Sequence, residues 1–196
     1  MRKNILFVLA IALVAVACKT TPDTESEAKF KHISVREIQG NPIKMIADDW
    51  GLVTAKDGDK FSLMTVNWGA MGNLWGEPVA FVFIHPDRYT YDFTENDKYF
   101  TITVFEEKYH DILLFCGQKS GRDYDKIKET GLTPLTTELG NIYYEQARLV
   151  IECQKIYANF MNEDAFIDKT IMHSFYPSKV FHKMYIGKIL NVWVKE

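Results

Sequence analysis

At 196 residues, with 47% hydrophobic and 14% aromatic content, the chain is sized for one domain plus a leader and has ample material for a core. A net charge of -3 gives no basic face, which argues against a nucleic-acid partner. Three cysteines are too few for a disulfide scaffold, and five scattered histidines with no Cys-x-x-Cys leave a metal site unsupported.

The N-terminus is the clearest local signal. Arg2 and Lys3 precede an uncharged apolar run from Ile5 to Ala17. A basic start, a short apolar core and small residues before a cut are the parts of a secretory signal. The run falls short of the roughly 20 residues needed to span a bilayer. It ends Ala15-Val16-Ala17-Cys18, which resembles a bacterial lipobox, with alanine at a position where leucine is more typical. The expected outcome is cleavage before Cys18, lipidation of its thiol and attachment to a bacterial membrane on the periplasmic or surface face. Ordinary signal cleavage and a retained N-terminal anchor are the alternatives. Residues 1–18 are therefore read as a lipoprotein-type signal peptide, 19–34 as a polar tether too poor in apolar residues to bury a core, and 35–196 as the folded domain.

Along the domain, Pro42–Ala47 and Trp50–Ala55 are short apolar runs that read as two strand-like segments, with a turn at Lys56-Asp57-Gly58-Asp59. Phe61–Ala70 is a strand candidate, and Gly69, Gly72 and Gly76 loosen the segment after it. Pro78–Ile84 is an apolar strand that stops at His85-Pro86. Arg88–Asn96 is polar and reads as a single helical turn. Tyr99–Phe105 alternates as a strand does, and Glu106–Phe115 has helical spacing. Cys116–Arg122 reads as a loop and Asp123–Glu129 as a short helix closed by Gly131. Tyr143–Tyr157 alternates partially and reads as a long strand, although its Glu, Gln, Ala and Arg content favours helix. Asn162–Lys169 looks helical, and Val180–Val194 is the last strand, bulged or bent at Gly187. Many strands with only short helices between them predict a barrel of mostly antiparallel strands. No GxGxxG or Walker sequence occurs.

Three ordered blocks stand out: Met64-Thr65-Val66-Asn67-Trp68-Gly69, Arg88-Tyr89-Thr90-Tyr91, and Cys116-Gly117-Gln118-Lys119-Ser120-Gly121-Arg122-Asp123. Together they resemble the flavin reductase-like, flavoredoxin-type family of FMN-binding split β-barrels. The resemblance implies a mainly β fold, a split barrel with short inserted helices, and FMN as the cofactor. It implies flavin contacts at Met64, Thr65, Asn67 and Trp68. It implies phosphate or ribityl contacts at Arg88, Thr90 and Tyr91 and at Ser120, Gly121 and Arg122. Related sequences often carry asparagine where Ser62 stands here.

The residue types suit that role, and each also has a plainer reading. A phosphate wants cations and donors, and a flavin ring wants a flat, partly apolar wall. Arg88 and Thr90 share one side if the chain there is extended; they are equally at home at a solvated strand end. Lys126 lies one helical turn beyond Arg122 and could share its face, or Ser120 or Asp123 could simply cap a helix. Thr65 and Asn67 share one strand face, with Met64 and Trp68 on the other, and Trp68 and Trp75 could be core residues. His182 resembles a late family histidine that approaches the flavin, with Phe181 where an aspartate is usual; a surface histidine is the plain alternative. Cys116 and Cys153 read as buried thiols, with a disulfide open.

The function expected is an FMN-binding oxidoreductase in which the flavin carries two electrons and no side chain serves as catalytic acid or nucleophile. The resemblance implies a homodimer with flavin near the subunit interface. The resemblance implies hydride from NAD(P)H, a cytoplasmic donor, which conflicts with an export signal. Either the leader is retained on the cytoplasmic side or the donor is different, with a membrane quinol, a reduced protein partner and an external reductant open. A donor other than NAD(P)H is the expectation. An exported flavin-binding carrier without turnover is the second class, and a barrel with structural or partner-binding use only is the third.

Overall fold

The computed structural model describes residues 29–196, so the leader, Cys18 and most of the tether lie outside the described residues. The end of the expected tether is not a spacer: Phe30–Ile33 pairs with the last strand, and Phe30 and Ile33 pack on the core. In chain order the elements are β1 (Phe30–Ile33), α1 (Pro42–Ala47), β2 (Gly51–Asp57), β3 (Lys60–Val66), β4 (Gly69–Leu74), β5 (Glu77–Ile84), α2 (Tyr89–Asn96) and β6 (Tyr99–Val104). They continue with α3 (His110–Gln118), α4 (Lys126–Thr130), β7 (Pro134–Thr136), β8 (Ile142–Tyr144), β9 (Leu149–Phe160), α5 (Lys169–Phe175) and β10 (Lys183–Lys195).

The main sheet runs β3-β2-β6-β9-β10-β5-β4, with β1 added to the far end of β10, and its pairings are antiparallel. The outermost strands of this path, β3 and β4, are consecutive in sequence and separated only by Asn67 and Trp68. Val66 to Gly69 can reach across roughly 11 Å at most. The sheet must therefore curl until its two edges nearly meet, which makes a split barrel.

Side-chain alternation sorts the core into two faces. Val53, Met64, Val82, Phe100, Ile151 and Cys153 belong to the cluster enclosed by the curled sheet. Their neighbours Leu52, Leu63 and Val150 face the other way, against Leu113 and Cys116 of α3 and Tyr144 of β8. Where β9 and β10 pair, the register slips between Ile186 and Gly187, at the glycine expected to bulge or bend the strand. Gly187 is needed for space: a Cβ there would lie 2.6 Å from Cys153 Cβ and 2.6 Å from Phe100 Cζ. Glu152 is fully buried. Its Oε1 accepts from Thr137 Oγ1 (2.5 Å) and Asn141 Nδ2 (2.7 Å), and its Oε2 from Asn191 Nδ2 (2.6 Å), so the loop after β7 is fastened to β9 and β10.

Several local expectations are corrected. Pro42–Ala47 is a helix, not a strand: Asn41 caps it by accepting from the N–H groups of Ile43 (2.8 Å) and Lys44 (3.4 Å), and Pro42 occupies the first turn, where its missing N–H costs nothing. The strand expected over Phe61–Ala70 breaks at Asn67. Gly69 and Gly72 lie in β4, and the turn comes at Trp75 (φ 54°) and Gly76 (φ 80°), the two left-handed positions of a tight hairpin. α2 runs two turns instead of one. α3 continues through Cys116–Gln118, into the segment expected to be loop. Over Asn162–Lys169 there is only a 3-10 turn, Glu163–Ala165; the helix begins at Lys169, capped by Asp168. Cys116 and Cys153 are free, buried thiols in separate clusters.

Gly187→Ala should lower the unfolding free energy by about 1–3 kcal/mol, the usual range for overpacking. Gly72→Ala, with no atom within 4 Å of the new methyl, should be close to neutral. Denaturant titration of both variants checks this, and equal effects would contradict the packing assigned to Gly187.

Candidate functional site

The two-residue corner between β3 and β4 carries the first half of the site. Asn67 is exposed, and Trp68 is 40% exposed although it sits amid aromatic neighbours. The Trp68 ring lies 4.9 Å from His182 and 5.4 Å, edge-on, from Phe175 at the end of α5. His182 lies in turn 5.1 Å from His85, at the end of β5, and shares a 3.0 Å hydrogen bond through Nδ1 with the Tyr176 hydroxyl. Burial, helped by His85 and Arg88 nearby, pushes the His182 pKa down to about 4, so its imidazole is neutral at physiological pH.

The second half forms around the start of α2. Arg88 occupies the position before the first turn and its side chain does not cap the helix; the Tyr91 N–H donates to the Arg88 carbonyl (2.9 Å), and the positive end of the helix dipole lies there. The Arg88 Nη1 donates to the Gly117 carbonyl at 3.1 Å, which holds the guanidinium over the end of α3 and leaves its other donors for a ligand. Facing it is the loop Ser120–Arg122. Ser120 Oγ accepts from the Arg122 N–H at 3.1 Å and keeps its own proton to donate. Arg122 lies over the Tyr89 ring at 5.1 Å, with Nη1 on the Asp87 carbonyl (3.0 Å) and Nη2 on Asp92 (3.3 Å). Gly121 is packed so closely that a Cβ would come 2.7 Å from Tyr89 Cδ1.

Trp68 and His182 thus meet at the corner with Arg88 near His182, and Arg88 and Arg122 tie the start of α2 to the end of α3 and the loop after it. Other candidates turn inward. Met64 is in the core. The Thr65 hydroxyl donates to the Leu113 carbonyl. Because α2 begins at Tyr89, Arg88 and Thr90 do not share an extended face. Thr90 is buried, and its hydroxyl pairs with Ser62 Oγ at 2.9 Å. Tyr91 is half-buried beside Phe160 and Lys183. Lys126 does not share Arg122's face: it is 6% exposed, and its Nζ donates to the carbonyls of Leu63 (2.8 Å) and Cys116 (2.7 Å). Sequence reasoning missed His85, Phe175 and Tyr176. The stop at His85-Pro86 was visible; nothing in the sequence placed residues 175 and 176 against Trp68.

The arrangement can hold an anion between Arg88, the start of α2 and Ser120, with a flat aromatic group beyond it toward Trp68. Those are the needs of a flavin mononucleotide, and the Arg88 guanidinium and the Ser120 hydroxyl are of the chemistry that fits its phosphate.

Comparison with known proteins agrees. A profile of the family described as "Flavin reductase like domain" matches residues 44–196. Similar solved structures include flavoredoxin from Methanosarcina acetivorans, at 19% identity and a TM-score of 0.59, covering 76% of this chain and 69% of that one. Flavoredoxin of Desulfovibrio vulgaris (Miyazaki F) is 22% identical with a TM-score of 0.58, covering 75% of this chain and 69% of that one. An FMN-binding domain of a flavin reductases-like enzyme from Shewanella baltica is 13% identical with a TM-score of 0.63, covering 86% and 78%. At such identities the likeness to these structures is one of fold. No curated protein matches the chain significantly.

Lys126 makes a pH-dependent contribution. Burial lowers its pKa from the usual 10.5 to about 8. Below pH 8 the amine is charged in both folded and unfolded chains and the burial penalty is constant. Between pH 8 and 10.5 the unfolded chain binds more protons, so stability rises with pH. Relative to Lys126→Met, the wild type should gain on the order of 1–2 kcal/mol from pH 8 to 10. Denaturant midpoints of both proteins across that range measure it, and a constant difference would contradict a titrating buried amine.

Proposed function

Because the chain belongs to the flavin reductase-like family, whose cofactor is FMN, we propose that it is a flavin-dependent oxidoreductase working by two-electron transfer, with the flavin held at the split of the barrel. The observation that supports this reading is Arg88 at the start of α2, where among the described residues its guanidinium makes one hydrogen bond, to the Gly117 carbonyl, beside the Ser120–Arg122 loop whose Arg122 binds the Asp87 carbonyl. Arg88, Ser120 and the first-turn N–H groups would hold the phosphate, while Asn67 and Trp68 would border the ring. Bound flavin would supply the chemistry, taking up and releasing electron pairs at its ring. The chain's own residues bind, orient and exclude water. Neutral His182, tied to Tyr176, adds a polar but uncharged group at the ring end.

Three further features belong to the same proposal. The electron donor is not NAD(P)H, because the leader directs the chain away from the cytoplasm. Lipidation at Cys18 anchors the mature protein to a bacterial membrane. The chain works as a homodimer, which would cover the apolar side chains of Trp75, Tyr157 and Phe160, exposed at 65%, 40% and 43%.

The test is recovery of the full-length chain from its host membranes in detergent, followed by sizing, absorbance spectroscopy and FMN titration. A yellow, membrane-bound dimer that dithionite bleaches and NADH does not is the expected result. Arg88→Ala should weaken FMN binding about 10- to 100-fold, the worth of a charge-assisted contact. Tight FMN binding without reversible reduction would point to a carrier. A chain that ignores FMN, or an Arg88→Ala variant that binds it as tightly as wild type, would overturn the site.

A further inference from the structure

His182 stands at the entrance to β10, and its backbone is fixed there: its carbonyl accepts from the Met161 N–H, just past β9, at 3.0 Å. Three rings surround the imidazole, with centroids at 4.9 Å for Trp68, 5.1 Å for His85 and 5.6 Å for Tyr176. Its two nitrogens are in different situations. Nδ1 shares a 3.0 Å hydrogen bond with the Tyr176 hydroxyl, and Nε2 has no hydrogen-bond partner among the described residues. No buried side-chain polar atom among those residues lacks a partner, so Nε2 reaches solvent. His85, by contrast, has both nitrogens in use. Its Nε2–H donates to the Val180 carbonyl at 3.1 Å, and its Nδ1 accepts from the Asp87 N–H at 3.3 Å. Of the two histidines at the corner, only His182 has a nitrogen left for a ligand.

Whether that nitrogen donates or accepts depends on where the single proton of the neutral ring sits. Tyr176 decides it. The tyrosine hydroxyl has one proton and two neighbours, His182 Nδ1 at 3.0 Å and Met161 Sδ at 3.5 Å. An imidazole lone pair is a strong acceptor, and a thioether sulfur is a weak one. The phenol proton therefore goes to Nδ1, at the shorter distance, and the sulfur remains a packing neighbour. Nδ1, acting as acceptor, cannot also carry the ring proton, which is left on Nε2. A second proton on the ring is opposed by its burial and by His85 and Arg88 nearby.

We infer that Tyr176 is a positioning residue that locks His182 in its Nε2–H form, so that a hydrogen-bond donor stands at the Trp68 corner for an acceptor atom on the ring system of a bound flavin. The role toward flavin rests on the function proposed above; the locked tautomer does not. A donor suits the polar edge of an oxidised flavin, where carbonyl oxygens and unprotonated ring nitrogens outnumber the single N–H. Such a bond strengthens as electrons enter the ring, which favours the reduced form.

The test uses the full-length chain in detergent at neutral pH, isotopically labelled at the histidine ring nitrogens. Protonated and unprotonated nitrogens give well-separated NMR resonances, and His182→Gln identifies those of residue 182. Without FMN, the wild type should show Nε2 protonated and Nδ1 unprotonated, and Met161→Leu should show the same. Tyr176→Phe, which removes only the hydroxyl, should show the averaged resonances of two exchanging tautomers. A proton on Nδ1 in the wild type, a changed tautomer in Met161→Leu, or identical resonances in wild type and Tyr176→Phe would each overturn the inference. With FMN, Tyr176→Phe should bind the flavin with wild-type affinity and shift its midpoint potential to a more negative value. An unchanged potential would show that the donor does not meet the ring, and it too overturns the inference. A wild type that has the expected tautomer but binds no FMN overturns the flavin reading, and the donor's role with it, and leaves the locked tautomer standing.

Discussion

The two edges of the main sheet are tied together by two residues. β3 and β4 stand at opposite ends of a seven-strand path, yet only Asn67 and Trp68 separate them along the chain. A flat sheet would hold such strands about six inter-strand spacings apart, roughly 29 Å. The short connection reaches less than half of that, so curling is obligatory. The corner then joins the two edge strands of the split, and Asn67 and Trp68 on it are exposed. Trp68 sits at that corner, partly exposed, with its ring against His182 and Phe175.

Around that corner, polar groups divide into those that hold the scaffold and those left for a ligand. Lys126 draws the backbone of β3 and α3 together through two carbonyls, Thr65 joins β3 to α3, and Ser62 joins β3 to α2 through Thr90. Among the described residues no buried side-chain polar atom lacks a partner. Such satisfaction fixes the three elements rigidly and leaves them nothing to give a cofactor. Arg88 and Ser120 differ, because each uses only part of its hydrogen-bonding capacity within the protein. Arg122 stands between the two groups, tethered to Asp87 and Asp92 yet exposed.

Strands and turns were legible in the sequence because alternation and glycine punctuation report directly on them. Tyr99–Val104 and the bulge at Gly187 follow from such patterns. The strand expected over Tyr143–Tyr157 is found only in part, since β8 ends at Tyr144, a turn follows, and β9 runs from Leu149 to Phe160. α1 was not, because PIKMIA is as apolar as a strand; the informative residues were Asn41 and Pro42, a cap and a first-turn proline. The three sequence blocks identified the right region of the fold, but residue type alone could not separate Arg88, which faces outward, from Lys126, which is buried. That distinction depends on which carbonyls come within reach after α3 and α4 pack on β3. The contribution of Phe175 and Tyr176 was equally hidden, since it depends on α5 folding back over a corner about a hundred residues earlier in the chain.

On the proposed function, the flavin would lie across the split, phosphate toward Arg88 and ring toward Trp68. A crystal structure of the chain grown with FMN tests it most directly. The expected density places the phosphate within hydrogen-bond distance of Arg88 and Ser120 at the start of α2, with the ring system reaching the Asn67–Trp68 corner. Flavin bound anywhere else, or bound there with Arg88 still turned wholly to the Gly117 carbonyl and the phosphate in solvent, would contradict it.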